Sequence, residues 1–473
     1  MSPASQPTGK PALLCISQAF SPATTPTAIH ASKLLGRLAE QWDITVVTEA
    51  SGGHDLDCLH VEVVPSRRPA TLFRALRRMR LQKLIELFVW PDESIFWLIP
   101  AILAGRRIVR HSKPDAIVVF MMPYSSGLVG VLLSRISGIP LILDFDDSLT
   151  CTDMHPQFPT RVHYRMARGL EDYYARRADA IIYVSGTNLD SVRARQPAHV
   201  QKRFHLVRYG AEPVSPPVGL TRAEHLEIAY VGAMSGWWAL IDQRVPASPP
   251  RRLFRALMRL GRHERQALDE RTSSPAILGG AIIDAVGEDA GWTGRIRLTI
   301  HGNPYPQSLV ARALSICGID DVVTVNGPVP HDEVAEILAR ADLLFLTLPA
   351  RSDGSRGGRI SAKTYEYLAT DRPILAAVPR GENWDYLSDV PGVWLVAPDD
   401  RQAMGRVLAR LARAKFAGEP LAFDRAHLRD EISYVARAGE FAAAIRAAID
   451  HRATRRPTRR GRGSAPRGAG RAA

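Results

Sequence analysis

Residues 361–379, SAKTYEYLATDRPILAAVP, form a helix pattern that runs into a short buried strand. The helix pattern opens with Lys363, although a cation in the first turn opposes the helix dipole and costs roughly a few tenths of a kcal/mol. Glu366 follows one turn later on about the same face. Lys363 is well placed if an anionic ligand binds at this helix. The alternative is an ordinary surface pair between Lys363 and Glu366.

The same alternation of short Val- and Ile-rich strands with helix patterns continues on both sides of this stretch. It predicts an α/β fold whose parallel sheets are covered by helices on both faces. A proline-rich break at 210–225 divides the chain. We therefore predict two Rossmann-like doubly wound domains, residues 1–215 and 226–450, that face a cleft. Ligands of such folds bind outside the carboxyl ends of the strands.

Two segments depart from this regular pattern. A long crossover at about 235–295 contains the basic stretch PPRRLFRALMRLGRHERQALDER, for which we expect a basic helix within surface helices and a mobile loop. The end of the chain, residues 452–473, is rich in Arg, Gly, Pro and Ala without an apolar period. Such a composition predicts a disordered basic tail.

Composition limits the class of protein. The hydrophobic fraction of 46% and the charged fraction of 23% are typical of a soluble globular protein. A net charge of +13 favours acidic partners, namely nucleotide phosphates, an anionic membrane face or nucleic acid, although much of it lies in the tail. The four scattered cysteines indicate neither a disulfide framework nor a metal site, so we expect a cytoplasmic protein without bound metal.

The loop before Lys363 carries the strongest signal for a ligand. The loops after the first strands of both halves lack GxGxxG, and no GxxxxGK[ST] occurs, so NAD and P-loop chemistry are not indicated. Instead, Gly354, Gly357 and Gly358 lie among cations in LPARSDGSRGGRISAK. Such glycines let backbone N–H groups approach a phosphate, which the cations and the following helix would stabilise. Glu366 would accept hydrogen bonds from two ribose hydroxyls.

Four segments together resemble a known family. DAIIYVS, LEIAYVG, TVNGPVPHDEVAEILARADLLFLTL and KTYEYLATDRPILA look like the GT-B glycosyltransferases, especially the retaining family-4-like group that uses nucleotide sugars. The resemblance covers most of residues 12–450. It implies that the first domain binds the acceptor, that the second binds the donor, and that the last helix crosses back to the first domain.

The implied function is transfer of a sugar from a nucleotide-diphosphate sugar to a glycan or lipid-linked acceptor. The resemblance places it in polysaccharide or glycolipid assembly, by a hexosyltransferase-like enzyme that needs no cofactor beyond its co-substrate. It also implies a front-face retaining reaction in which the leaving phosphate helps the acceptor hydroxyl lose its proton.

Two departures from the family pattern leave other functions open. The family's donor signature has two glutamates eight positions apart; the second matches Glu366, whereas the first would fall at Gly358. After LEIAYV the chain has Gly232 and no nearby Arg or Lys, so Arg356, Arg359 and Lys363 are the candidates for holding the diphosphate. The alternatives are a catalytically inactive binding or scaffold protein and, less favoured, a nucleotide-sugar epimerase.

The acceptor half offers carboxylates at a strand end. LILDFDDSL places Asp146 and Asp147 where they would orient or deprotonate an acceptor hydroxyl. The alternative is a helix cap or an Asx turn. We expect His331, in GPVPHDEV, near the nucleotide base, and Glu171 either in the cleft or paired with Arg176 or another nearby cation.

A membrane role has its own sequence features. Residues 66–90 space apolar side chains along one side of a basic helix that ends near Trp90, which suits an anionic bilayer and would favour a lipid-linked acceptor. The alternative is an ordinary surface helix packed on the sheet. The apolar window 116–134 is long enough to raise the question of a membrane span, but Pro123 to Ser126 favour a turn between strand and helix. We predict a cytoplasmic protein, with the inner face of the cell membrane as an optional peripheral location and no specific nucleic-acid partner.

Overall fold

The protein was analysed as a computed structural model, which describes residues 9–23, 25–49, 58–151, 153, 157–214, 224–232, 235–244, 248–265, 268–303 and 305–455. Most of these residues belong to two domains, each built on a wholly parallel sheet with helices on both faces. The first sheet has seven strands in the order β3-β2-β1-β4-β5-β7-β8, and the second has six in the order β13-β12-β9-β14-β16-β17. The predicted fold class is confirmed.

In the first domain the strands are β1 (Ala12–Ile16), β2 (Asp43–Thr48), β3 (His60–Val63), β4 (Ala116–Phe120), β5 (Leu141–Phe145), β6 (Gln157–Phe158), β7 (Ala180–Tyr183) and β8 (Phe204–Leu206). Its helices are α1 (Pro26–Leu38), α2 (Ala70–Arg78), α3 (Gln82–Phe88), α4 (Leu98–Ser112), α5 (Ser126–Ser137), α6 (Arg161–Arg177), α7 (Gly186–Arg193) and α8 (Ala198–Gln201), with a 3-10 turn at Glu93–Trp97.

In the second domain the strands are β9 (Leu226–Val231), β10 (His263–Glu264), β11 (Leu268–Asp269), β12 (Ile296–His301), β13 (Val323–Val325), β14 (Leu343–Thr347), β15 (Ala350–Arg351), β16 (Ile374–Ala377) and β17 (Val393–Val396). Its helices are α9 (Ser235–Arg244), α10 (Pro249–Arg259), α11 (Pro275–Glu288), α12 (Gln307–Cys317), α13 (His331–Arg340), α14 (Ala362–Leu368), α15 (Glu382–Leu387), α16 (Arg401–Phe416), α17 (Ala426–Ile432) and α18 (Tyr434–Arg455), with 3-10 turns at Glu270–Ser273 and Ala290–Trp292.

The central strands are buried because helices cover both faces of each sheet. Every residue of β4 (AIVVF), β5 (LILDF) and β14 (LLFLT) is buried, which is why these strands are nearly continuous apolar runs. The last helix, α18, returns to the first domain and packs in its core, where Phe441 stacks on Phe120 with ring centroids 6.4 Å apart. The structure therefore has the crossing helix that the resemblance implies.

The long crossover of the second domain differs from the prediction. The basic helix α10 ends at Arg259, and the chain then forms two short strands. Strand β10 pairs antiparallel with β6 of the first domain, and β11 pairs antiparallel with β15. Two-residue strands give too little period for sequence patterns to detect. The crossover thus reaches the first domain.

Three other predicted segments have clear outcomes. The basic segment 66–90 is two helices, α2 and α3, separated at Arg80 by a left-handed backbone with φ of 61°. The window 116–134 is β4, a turn and α5, as expected. The predicted tail lies outside the described residues except for 452–455, which belong to α18.

No single helix among the described residues has both the length and the apolar character needed to cross a membrane. One pair, Gln82–Phe88 with Glu93–Ser112, meets these two criteria only when its members are joined across a 62° bend.

Candidate active site

A cleft of about 530 Å³ lies where the carboxyl ends of the two sheets face each other. Residues that follow β5 and β7 line one side, and residues that follow β9, β12 and β13 line the other. The predicted site residues that line it are Asp146, Asp147, Gly232, His331, Arg359, Lys363 and Glu366. The fold therefore brings together side chains that lie more than 200 positions apart.

Arg356 is the predicted site residue that the structure does not bring to the cleft. Its side chain is mostly exposed and pairs with Asp385. The reason is the path of the glycine loop. The N–H of Gly357 donates to the carbonyl of Arg380 at 2.8 Å, and the N–H of Gly358 donates to Asp153 at 2.6 Å. The expectation that both N–H groups are available to a phosphate is wrong.

Lys363 lies directly over Gly232 at the end of β9. Gly232 has a φ of 142°, and a Cβ atom built on it would lie 2.2 Å from Lys363 Cε. Only glycine leaves room for the lysine stem and accepts this backbone without strain. The ammonium group is 5.6 Å from the ring centre of Tyr230. Gly232 thus positions the cation at the floor of the donor half.

Lys363 and Glu366 are not a surface pair. Both side chains line the cleft, and among the described residues no ion pair within 4 Å joins either of them to a partner. Arg359 is likewise without an ion pair there and lies near Asp147. Within the described residues, Lys363 and Glu366 therefore face the cleft without an ion-pair partner, whereas Arg359 has Asp147 nearby.

Asp146 and Asp147, on the opposite side, differ in environment. Asp146 is buried and accepts a hydrogen bond from the hydroxyl of Thr27 in α1. Asp147 is half-buried and accepts from the amide of Asn188 at 3.4 Å. Burial and the neighbouring Asp146 carboxylate raise the pKa of Asp147 to about 7, although Arg359 and Asn188 act to lower it. A carboxyl with this pKa is suited to exchanging protons near neutral pH.

Asp144 and His30 extend this acidic group into the core. Nε2 of His30 is 3.5 Å from Asp144 Oδ2, and both side chains are buried. Burial raises the pKa of Asp144, while His30 acts to lower it. His30 also lines the cleft, and its Nδ1 has no hydrogen-bond partner among the described residues. Neither residue is among the predicted site residues.

The two domains are joined beside the cleft by carboxylates that the sequence did not reveal. Glu382 accepts from the Ser185 hydroxyl at 2.6 Å, from the N–H of Gly186 at 2.8 Å and from Arg208 at 2.7 Å. Burial acts to raise its pKa, but these hydrogen bonds outweigh it and lower the pKa. Asp153 of the first domain pairs with Arg351 at 2.6 Å. Contacts this far apart in sequence have no local signal.

Gly358, where the family's first glutamate would fall, lies at this contact. A Cβ atom built there would be 2.7 Å from Thr187 Cγ2 of the first domain. Its carbonyl accepts a hydrogen bond from the Ser185 hydroxyl at 2.9 Å. A longer side chain at 358 therefore does not fit the domain arrangement seen here.

Glu171 is structural. Its carboxylate accepts hydrogen bonds from the hydroxyls of Ser148 and Thr150 at 2.6 and 2.7 Å and pairs with Arg195 at 2.6 Å. Its cation is thus Arg195, not Arg176. Within the described ranges, no group of three or more His, Cys, Asp or Glu side chains is arranged to hold a metal ion.

Comparison with known proteins agrees with this architecture. The family model for the glycosyl transferase 4-like domain matches residues 27–210. The matched range covers most of the first domain. No curated protein is similar to the chain in sequence. The predicted family-4-like GT-B glycosyltransferase family and the predicted enzyme class are confirmed, whereas the retaining mode stays a prediction.

Solved structures similar to this glycosyltransferase share its fold over the whole chain. HepE from Anabaena, solved with UDP and glucose, is 14% identical with a TM-score of 0.58, covering 92% of this chain and 99% of HepE. Sucrose-phosphate synthase from Thermosynechococcus elongatus is 15% identical with a TM-score of 0.60, covering 93% and 100%. The lipopolysaccharide outer core galactosyltransferase WaaB is 12% identical with a TM-score of 0.52, covering 92% and 99%. At these identities the likeness shows the GT-B fold alone.

Proposed function

We propose that this glycosyltransferase transfers a sugar from a nucleotide-diphosphate sugar to a glycan or lipid-linked acceptor in the interdomain cleft. The observation that carries the proposal is the pair Lys363 and Glu366, which face the cleft without ion-pair partners over a glycine floor. Unpaired charges in a partly buried cleft are costly unless a ligand compensates them. A nucleoside diphosphate supplies both the anion and the hydroxyls.

In the donor half, Lys363 and Arg359 bind the diphosphate, and Glu366 accepts hydrogen bonds from the ribose hydroxyls. His331 contacts the base. Charge-assisted hydrogen bonds of this kind are the stronger ones in proteins. HepE was solved with UDP, so UDP is the first nucleotide to test here.

In the acceptor half, Asp147 orients the acceptor hydroxyl, with Asp146 held beside it by Thr27. During transfer the bond between the sugar C1 and the diphosphate oxygen breaks, and a bond between C1 and the acceptor oxygen forms. The hydroxyl proton goes to the leaving diphosphate or to Asp147. Retention of configuration accords with the first route, because the leaving phosphate and the acceptor then lie on the same face of the sugar.

The direct test is to measure UDP binding by variants of two cations, Arg356 in the glycine loop and Lys363 in the helix that follows it. Lys363→Met keeps the aliphatic stem over Gly232 but removes the charge, so we expect UDP to bind about 10- to 100-fold more weakly, which corresponds to a lost charged hydrogen bond of about 1.5–3 kcal/mol. Arg356→Met is the matched control, because Arg356 is a cation outside the cleft. Isothermal titration calorimetry measures both. Equal affinities for the wild type and Lys363→Met would contradict the donor site.

A second assay separates the alternative functions. Slow hydrolysis of a nucleotide sugar without acceptor supports the transferase over an inactive scaffold. We expect this hydrolysis to fall together with UDP affinity in Lys363→Met. Interconversion of free nucleotide sugars would support an epimerase instead, although the comparisons do not favour one.

The location we propose is cytoplasmic, at the inner face of the cell membrane. The segment of α2 and α3 supports it, since Leu72 and Met79 are exposed among the arginines in and just after α2, and Phe88 is exposed at the end of α3. Only Phe73 and Ile85 of these helices are buried. The helices therefore both pack on the domain and present apolar side chains to the outside. Binding to vesicles with anionic lipid, lost at high salt, is the expected observation.

A further inference from the structure

A second cavity, which the donor and acceptor chemistry does not use, lies in the first domain. It is a half-open groove of about 480 Å³ between α3 and α6. Its apolar wall is formed by Ile85, Val89, Trp90, Leu149, Phe158 and Ala167. We call it the α3–α6 groove. The crossover of the second domain closes one edge, where Arg262 pairs with Glu86 at 2.7 Å.

The carboxylate of Asp92 and the hydroxyl of Tyr124, both in the lining of this groove, have protein partners. Asp92 accepts hydrogen bonds from the N–H and hydroxyl of Ser125 at 2.9 and 2.7 Å, and from the N–H of Ser94 at 3.0 Å. The hydroxyl of Tyr124 donates to the carbonyl of Asp147 at 3.3 Å. In the described part of the chain, none of the buried polar side-chain atoms without a partner belongs to the groove. An occupant without polar groups would leave none of them unsatisfied.

The rim of the groove is unusually apolar and basic for an outer surface. Phe88 of α3 is 82% exposed, Val162 of α6 is 60% exposed and Leu260 after α10 is 71% exposed. These three side chains belong to elements that border the groove, although none of them lines it. Arg161 and Arg165 on α6 are exposed, and no carboxylate of the described residues lies within ion-pair distance of them.

Helix α10 belongs to this rim although it comes from the other domain. Nζ of Lys83 in α3 donates to the carbonyls of Leu257 and Leu260 at 3.3 and 2.5 Å. The guanidinium of Arg80 lies 5.8 Å from the ring centre of Phe254. The basic helix α10 of the second domain and the segment from Arg80 through α3 of the first domain thus form one surface. Its cations and apolar side chains complement a phosphate group attached to a hydrocarbon chain.

The groove also touches the acceptor side of the cleft. Leu149 lines the groove, whereas Asp147, two residues earlier, lines the cleft. The segment 146–149 therefore separates the two cavities. We propose, resting on the transferase function above, that the α3–α6 groove binds the hydrocarbon chain of a phosphate-bearing lipid acceptor. The basic side chains around the groove hold its anionic group.

Trp90 provides a direct probe, because bromine quenches indole fluorescence on contact. We expect a brominated C18 alkyl phosphate, below its micellar concentration, to quench the wild type and to lose that effect in Trp90→Phe. Inorganic phosphate and a brominated C4 alkyl phosphate should quench at least tenfold less at equal concentration. Quenching that persists in Trp90→Phe, or that the C4 probe matches, would overturn the proposal.

A blocking variant tests occupancy of the groove. Ala167→Phe fills it from α6, and we expect its half-quenching concentration to rise at least tenfold. Ala453→Phe, the same change at an exposed position of α18, should leave it unchanged. Quenching only by brominated lipid in anionic vesicles would show adsorption to a bilayer rather than capture of a chain, and would also overturn the proposal.

UDP titration of every variant separates this proposal from the function it rests on. Unchanged UDP affinity shows that the donor site is intact, and an unchanged urea-unfolding midpoint shows that the first domain is folded, so a failure of quenching then removes the groove alone. If the wild type does not bind UDP, the proposed donor site is wrong. The quenching result is then evidence for the groove independently of the proposed function.

Discussion

The cleft between the domains and the α3–α6 groove of the first domain are cavities of similar size, yet their polar groups differ in whether protein partners satisfy them. In the cleft, Lys363 and Glu366 face the open space without ion-pair partners in the described residues. In the groove, Asp92 is surrounded by hydrogen-bond donors. Charges left uncompensated indicate a polar ligand, whereas satisfied polar groups behind apolar walls indicate an apolar one.

The carboxylates Asp147 and Asp92 make this contrast testable, because burial raises the pKa of both. Asp147 has one hydrogen bond, of 3.4 Å, and faces the cleft, while Asp92 has three donors. If Asp147 takes the acceptor proton, Asp147→Asn should lower the rate of transfer by about 100-fold or more. The wild-type rate should rise with pH up to about 7 and then level, because the carboxylate is the active form.

The matched variant is Asp92→Asn, which should lower stability while the pH dependence of transfer keeps its shape. Rates across pH 5 to 9 measure both variants. A loss of less than tenfold in Asp147→Asn, with the pH dependence intact, would assign the proton to the leaving diphosphate.

The glycine floor gives a smaller expected effect on the donor side. In Gly232→Ala the new methyl group would collide with Lys363 Cε at 2.2 Å on a backbone that favours glycine. The ammonium group must move, so UDP should bind about tenfold more weakly, a loss of about 1.4 kcal/mol. Gly287→Ala in α11, where a Cβ meets no atom within 4 Å, is the control. Unchanged UDP affinity in Gly232→Ala would show that a glycine at 232 is not needed to position Lys363.

The sequence predicted the cleft better than the groove for a physical reason. Parallel strands end at one edge of a sheet, so the pattern alone could place Asp147 at the carboxyl edge of the first sheet and Gly232 at that of the second. The groove is built from α3, α6 and the segment around Leu149, and its edge from Arg262 in the other domain. No local period connects such segments.

The error at Arg356 has a similar origin. Arg356 and Arg359 are three positions apart in one loop, and composition treats them alike. Their positions differ because Asp153, from the other domain, holds the N–H of Gly358 between them. The same contact places Gly358 against Thr187. The sequence shows that the family's first glutamate is absent, but it does not show that this position packs against the other domain.

The smallest expected effect is on the free energy of unfolding, and the raised pKa of Asp147 determines its sign. Its pKa is about 7 in the folded protein against an ordinary value of 3.8. Between these values the folded protein keeps a proton that the unfolded chain has released. The free energy of unfolding that Asp147 contributes therefore falls as pH rises from about 4 to about 7. Asp147→Asn lacks this penalty.

We therefore expect the free energy of unfolding of Asp147→Asn to equal that of the wild type near pH 4. At pH 8 it should be higher by about 1 kcal/mol or more, since each pKa unit corresponds to about 1.4 kcal/mol. Urea unfolding at several pH values measures the difference, with Asp321→Asn as the control for removing one exposed carboxylate. A difference that does not change with pH would mean that the cleft is wetter and more polar than its lining implies. The contrast with the groove would then rest on Lys363 and Glu366 alone.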